Sequence, residues 1–164
     1  MCEHCGCRQV APITELMEEH SALLDLSCDV HQALSQGSTR TAKAHLDLLI
    51  EYLDRHVERE ESGVFRALRA AGEFVEEIDQ LEAEHHDFAA QITNLDADAA
   101  EFHIRVTRLL DDLALHVERE DLGIFPVSVV TLGAQGWAIV DQAHTEAPSF
   151  LLDAARNSRG LKER

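Results

Sequence analysis

The chain is poor in the residues that interrupt or cross-link a fold. Proline occurs three times and glycine eight times in 164 residues, mostly at the edges of apolar-periodic stretches. Long segments are therefore free to be helical. Aromatic residues make up only 5 %, which leaves Leu, Val, Ile and Ala to fill the core of one domain of this length. Basic residues are also scarce, 14 Lys and Arg against 31 Asp and Glu, giving a formal charge of −17. Such a surface repels phosphate backbones and anionic lipid, which argues against nucleic-acid and membrane-surface partners. No apolar run approaches the roughly 18 residues that cross a bilayer, and the first residues lack a basic-then-apolar signal, so the expected location is the cytoplasm. The four cysteines are Cys2, Cys5, Cys7 and Cys28. Three of them crowd the first few positions, which is not a disulfide framework.

What the chain does have is histidine, ten in all, and apolar residues at helical spacing. Leu16, Leu23 and Leu24 mark a first helix, capped by Thr14 and running to about Ser35 before Gly37. Leu46, Leu49, Leu53 and Val64 mark a second, over Thr39 to Ala70 and ending at Gly72. Phe74, Ile78, Leu81, Phe88, Ile92 and Leu95 mark a third, from Glu73 to Leu95. Phe102, Val106, Leu109 and Leu113 mark a fourth, capped by Asp96 or Asp98, reaching Gly123 and broken by Pro126. A loop at Leu132-Gly133 and a short helix over Trp137–Leu152 precede a polar, basic tail expected to fray. The expected architecture is all-α, an up-down-up-down four-helix bundle with a short extra C-terminal helix. In domain terms, 1–12 is a Cys-rich arm, 13–126 the bundle, and 127–164 a loop, helix and tail.

The strongest signal is an internal repeat. His56-Val57-Glu58-Arg59-Glu60-Glu61 returns as His116-Val117-Glu118-Arg119-Glu120-Asp121, each copy followed by a glycine and a phenylalanine: Gly63 and Phe65, then Gly123 and Phe125. The preceding helices match as well, with Glu19-His20 in one and Glu84-His85 in the other. Extending each apolar stripe runs into these residues. His20, His56, His85 and His116 fall on the faces that should be buried, as do Glu60 and Glu120, one turn beyond the second and fourth histidines. A buried, unpaired polar group costs roughly 2–7 kcal/mol and an ionised carboxylate more. A multivalent metal compensates that cost directly. Imidazole with carboxylate and no thiolate suits iron, manganese or zinc, and bundles use such residues to hold two metals bridged by carboxylates.

The pattern His20, His56-x-x-x-Glu60, His85, His116-x-x-x-Glu120 resembles the hemerythrin family of His-His-Glu cation-binding domains. The opening Met1-Cys2-Glu3-His4-Cys5-Gly6-Cys7 is similar to an arm found in actinobacterial members. The resemblance implies two iron ions joined by an oxo or hydroxo bridge, with Glu60 and Glu120 bridging, His20 and His56 on one iron, and His85 and His116 on the other. Two positions depart from oxygen-carrying members. Where those have a further histidine one turn after the third-helix histidine, this chain has Ala89. Where they place an aspartate five residues after the fourth-helix histidine, it has Asp121 beside Glu120. Glu120 continues the stripe and mirrors Glu60, and Asp121 is the alternative ligand.

Other candidates are weaker. Tyr52, one turn before His56, is the candidate catalytic phenol or a core filler. His144 and Glu146 in the last helix are candidate additional ligands. His86 is about 100° round its helix from His85 and is expected to face solvent or a neighbouring helix, while His31, His45 and His103 are assigned to solvated faces. Cys28 is expected to be a small buried hydrophobe. Cys2, Cys5 and Cys7 with His4 offer a zinc site or a redox-sensitive tether, with a mobile terminus as the equal alternative.

The expected function is that of a non-haem di-iron protein acting on a small oxidant under oxidative stress, by catalase-like disproportionation of hydrogen peroxide. Reversible binding or sensing of dioxygen or nitric oxide is the rival, and iron buffering a third reading. Manganese fits the same ligands.

Overall fold

The computed structural model describes residues 10–153; the Cys2, Cys5 and Cys7 arm with His4 lies outside them, as does the basic tail. All regular elements among the described residues are helical. They are α1 (Ala11–Ser35), α2 (Thr39–Glu60), a π turn (Glu61–Phe65), α3 (Arg66–Ala71), α4 (Val75–Thr93), α5 (Phe102–Arg119), a second π turn (Glu120–Ile124), α6 (Phe125–Thr131) and α7 (Ala134–Glu146). The π turns join α2 to α3 and α5 to α6, so four long helical arms remain. No helix is long and apolar enough to cross a membrane.

Each arm crosses from one apolar cluster to another. Leu16 belongs to a cluster with Val64, Phe65, Leu81 and Ile124. Leu23 belongs to a second with Leu53, Phe88 and Leu113. Chain order therefore passes from the first cluster to the second in α1 and α4, and back in the other two arms, which is up-down-up-down. Between the two clusters, at the same level in every arm, sit His20, His56, His85 and His116.

Turn chemistry sets the hairpins. Gly37 and Gly72 have φ of 71° and 73°, the left-handed conformation that closes a helix at least cost for glycine. Their successors bond back, Ser38 N–H to the Ala33 carbonyl at 2.9 Å and Glu73 N–H to that of Leu68 at 3.1 Å.

Several boundaries differ from the sequence reading. α1 begins at Ala11 with Pro12 in its first turn, where a missing N–H costs nothing, and the Thr14 hydroxyl donates to the Val10 carbonyl at 3.2 Å rather than capping. Asp96 accepts from the Asp98 N–H at 3.0 Å in a turn, and α5 starts only at Phe102. Pro126 does not end the fourth arm. It follows the π turn, where Phe125 N–H already reaches back five residues to Glu120, and in a shifting bond register a missing donor costs least. α7 starts at Ala134, before Trp137, and stops at Glu146, short of Leu152. Pro148 disfavours helix at the residue before it, and Ala147 is accordingly non-helical, at φ −119°, ψ 88°. Cys28 is exposed, not buried. Seven residues carry a helix almost two full turns from His20, so Ser27 takes the buried position, whereas an eighth swings about 80° away.

Candidate metal centre

Six side chains meet between the apolar clusters, all buried: His20, His56, Glu60, His85, His116 and Glu120. They form two overlapping groups of four that share both glutamates. One is His20, His56, Glu60 and Glu120, the other Glu60, His85, His116 and Glu120. Within each group, one ligand atom from every residue lies within 4.8 Å of the rest. His56 Nε2 is 3.1 Å from Glu60 Oε1 and His116 Nε2 is 3.1 Å from Glu120 Oε1, each one turn apart on its own helix. His20 Nε2 crosses to Glu120 Oε2 at 3.1 Å and to Glu60 Oε1 at 3.5 Å. His85 Nε2 is 3.5 Å from Glu60 Oε2.

What fixes these rings was not read from the sequence. Every Nδ1 faces a carboxylate. Asp121 Oδ1 is 2.8 Å from His20 Nδ1, and Glu19 Oε2 is 2.7 Å from His56 Nδ1. Glu61 Oε1 is 2.9 Å from His85 Nδ1, and Glu84 Oε2 is 2.6 Å from His116 Nδ1. An ionised carboxylate only accepts, so Nδ1 carries a proton, and a metal that displaces the proton on Nε2 meets a lone pair turned inward. The signal was present in the repeat. The acid before each lone histidine, Glu19 or Glu84, holds the histidine of the neighbouring arm. The acid after each shared glutamate, Glu61 or Asp121, holds the lone histidine. Asp121 thus stands behind His20, and Glu120 is the residue inside the cluster.

The electrostatics suit a cation. Burial pushes the Glu60 carboxyl up, but His56 and His20 outweigh it and hold it well below the usual range. Burial and the charge of Glu60 push Glu120 up, and the nearby imidazoles of His116 and His20 bring it below. Burial lowers His20, yet Asp121, Glu120 and Glu60 raise it well above its ordinary value, and His56 is raised by Glu60 and Glu19 against the same burial. For His116, Glu120, Glu60 and Glu84 outweigh burial and raise it to about 9. All four oxygens of Glu60 and Glu120 and the Nε2 atoms of His20 and His56 are buried without a hydrogen bond. His85 and His116 bring their Nε2 atoms within 2.9 Å. With Nδ1–H on both rings, two lone pairs would face each other there, and a proton or a metal relieves that. Orphaned atoms of this kind, four imidazoles and two carboxylates without thiolate, fit iron or manganese.

The remaining candidates lie elsewhere. Tyr52 stacks on Phe150 with ring centroids 4.3 Å apart. Glu146 is exposed and accepts from Gln142. His144 lies behind the cluster, its Nδ1 3.1 Å from Arg59 Nη2, and burial together with the Arg59 charge lowers its pKa. His86 and His103 are exposed, and His31 and His45 half-buried.

Arg59 was also missed. It is 1 % exposed, pairs through Nε with Glu19 Oε1 at 3.0 Å, donates to the Ala147 carbonyl at 2.6 Å and pairs with Glu15. Glu19 is fully buried, so Arg59→Met leaves its charge less compensated. The expected loss is about 3–5 kcal/mol of stability, read from denaturant unfolding of the metal-free protein; an unchanged midpoint would contradict this.

A family model described as the hemerythrin HHE cation binding domain matches residues 11–128. Comparisons with the curated proteins and with the solved structures returned no match. The chain belongs to the hemerythrin HHE cation-binding family.

Proposed function

We propose that this hemerythrin-family chain holds two iron ions and disproportionates hydrogen peroxide. The observation that carries the reading is the pair of overlapping four-residue groups sharing Glu60 and Glu120. His20 and His56 would hold one iron and His85 and His116 the other, with the two glutamates common to both. Two adjacent irons supply a two-electron exchange. One peroxide gives up two electrons and two protons to become dioxygen, and a second takes them up to become two waters.

The chain's own contribution is placement. One helical turn sets Glu60 beside His56 and Glu120 beside His116, and the carboxylates on Nδ1 fix ring orientation and tautomer. Phe125 stacks on His20 at 5.4 Å and Phe65 on His85 at 5.8 Å, which covers one face of each of these two rings. Ala89 adds no side chain able to ligate, leaving two histidines to each position.

The test is oxygen release on adding hydrogen peroxide to iron-loaded protein, beside a Glu60→Ala/Glu120→Ala control of measured iron content. Release over many turnovers, absent in the control, is expected. No release from protein holding two irons would refute peroxide disproportionation and favour reversible gas binding.

A further inference from the structure

One face of the fourth arm has no partner within the described chain. On the core side of α5, Phe102, Val106, Leu109 and Leu113 are buried, and α1 and α4 pack there. The opposite face steps by four and three residues through Ile104, Arg108, Asp111, Leu115, Glu118 and, in the second π turn, Leu122. That spacing keeps a single stripe along a helix. Ile104, Leu115 and Leu122 are 70 %, 58 % and 57 % exposed. A lone exposed leucine is ordinary, whereas three large apolar side chains on one stripe mark a contact surface. The charged members, Arg108, Asp111 and Glu118, are exposed too and form no ion pair among the described residues.

A groove runs beside the stripe, between α4 and α5. One stretch of it, about 550 Å³, is lined by Leu95, Ile104 and Arg108. The next, about 140 Å³, is lined by Phe88, Leu115 and Arg119. Asp87 and Gln91 border both, so the two are continuous. A ridge of side chains next to a groove is the relief that a facing helix fills.

We propose that a second copy of this chain covers this face, the two α5 helices lying antiparallel about a two-fold axis at the level of Leu113. In that register the stripe is complementary to itself. Ile104 meets Leu122 of the second copy, Arg108 meets Glu118, and Asp111 lies beside Leu115. Two-fold symmetry makes each meeting twice. Parallel helices would instead set Arg108 against Arg108 and Glu118 against Glu118, which repel. The stripe is about 27 Å long at 1.5 Å per residue. Each copy carries a charge of −17. At an ionic strength of about 0.15 M the Debye length is about 8 Å, so distant carboxylates are screened while pairs in contact are not. The inference is independent of the two-metal reading.

The test is sedimentation velocity of the full-length, iron-loaded chain at about 0.15 M ionic strength. Concentrations of about 1–100 µM cover the range in which modest interfaces exchange. A dimer is expected. Leu115→Glu sets a carboxylate opposite Asp111 of the second copy and is expected to leave a monomer of unchanged circular dichroism. Arg108→Glu and Glu118→Arg each turn two attractions into two repulsions, and each is expected to raise the dissociation constant roughly tenfold or more. Mixed together, these two variants regain both ion pairs across the axis, and the dimer is expected to return. A wild-type chain that is monomeric throughout would overturn the inference and assign the face to another protein or to solvent. A dimer unmoved by Leu115→Glu, or a mixture of the charge variants no tighter than either alone, would put the contact elsewhere and overturn it as well.

Discussion

Metal-free protein will lose stability as the pH rises from about 6.5 to 9, while its affinity for metal rises over the same interval. His20, His56 and His116 have folded-state pKa values above the ordinary histidine value, about 9 for His116. A raised pKa contributes stability that is fully present below the unfolded value and is lost as the pH passes the folded one. At about 1.4 kcal/mol per pH unit, His116 alone accounts for about 3 kcal/mol. The acid side runs oppositely. Glu60 and Glu120 are lowered, so their stabilisation is present above the ordinary carboxylate value and disappears as the pH falls through their folded values. Metal competes with the same protons for the imidazoles, which is why its binding strengthens as they leave. Denaturant melts of metal-free and iron-loaded protein at pH 6.5 and 9 measure both. The gap between the two forms is expected to widen at the higher pH. A metal-free protein more stable at pH 9 than at 6.5 would mean that the buried histidines are neutral in it.

If the two four-residue groups each hold an iron, as proposed, Glu60→Ala is expected to cost both metals and His56→Ala one. Both glutamates belong to both four-residue groups, while each histidine belongs to only one. Removing Glu60 takes a donor and a negative charge from both groups, so on the two-iron proposal iron content is expected to fall from two per chain to near none. His56→Ala leaves the His85, His116, Glu60 and Glu120 group intact, and about one iron should remain. The stabilisation conferred by bound metal follows the same counts, because only metal held by the folded state raises the melting temperature. Elemental analysis and melting curves of the two variants give the comparison. Glu60→Ala protein that retains one tightly held iron would show that the carboxylates are not shared.

The cluster was legible in the sequence because its requirements are local and repeated. A histidine and a glutamate four apart on an apolar stripe must project together, and the stripe fixes the level at which all four arms meet. The carboxylates on Nδ1 were not legible, although Glu19, Glu61, Glu84 and Asp121 recur at matching places in the repeat. Their partners lie on other arms, and periodicity along one helix says nothing about contacts between helices. The π turns escaped for a related reason: a change of bond register leaves composition untouched, and Pro126 imitates a stop where a register change accommodates it. One residue of helical rotation separates exposed Cys28 from buried Ser27, a difference finer than apolar spacing along the helix distinguishes. Arg59 was hidden by its setting in a charged run, where solvation is the ordinary outcome and only the packing of α7 reverses it.

Anomalous diffraction at the iron edge from crystals of the iron-loaded protein tests the central claim most directly. Two peaks are predicted, both beside the carboxylates of Glu60 and Glu120, one next to His20 and His56 and the other next to His85 and His116. A single peak, none at that level, or iron held at His144 instead would contradict the account.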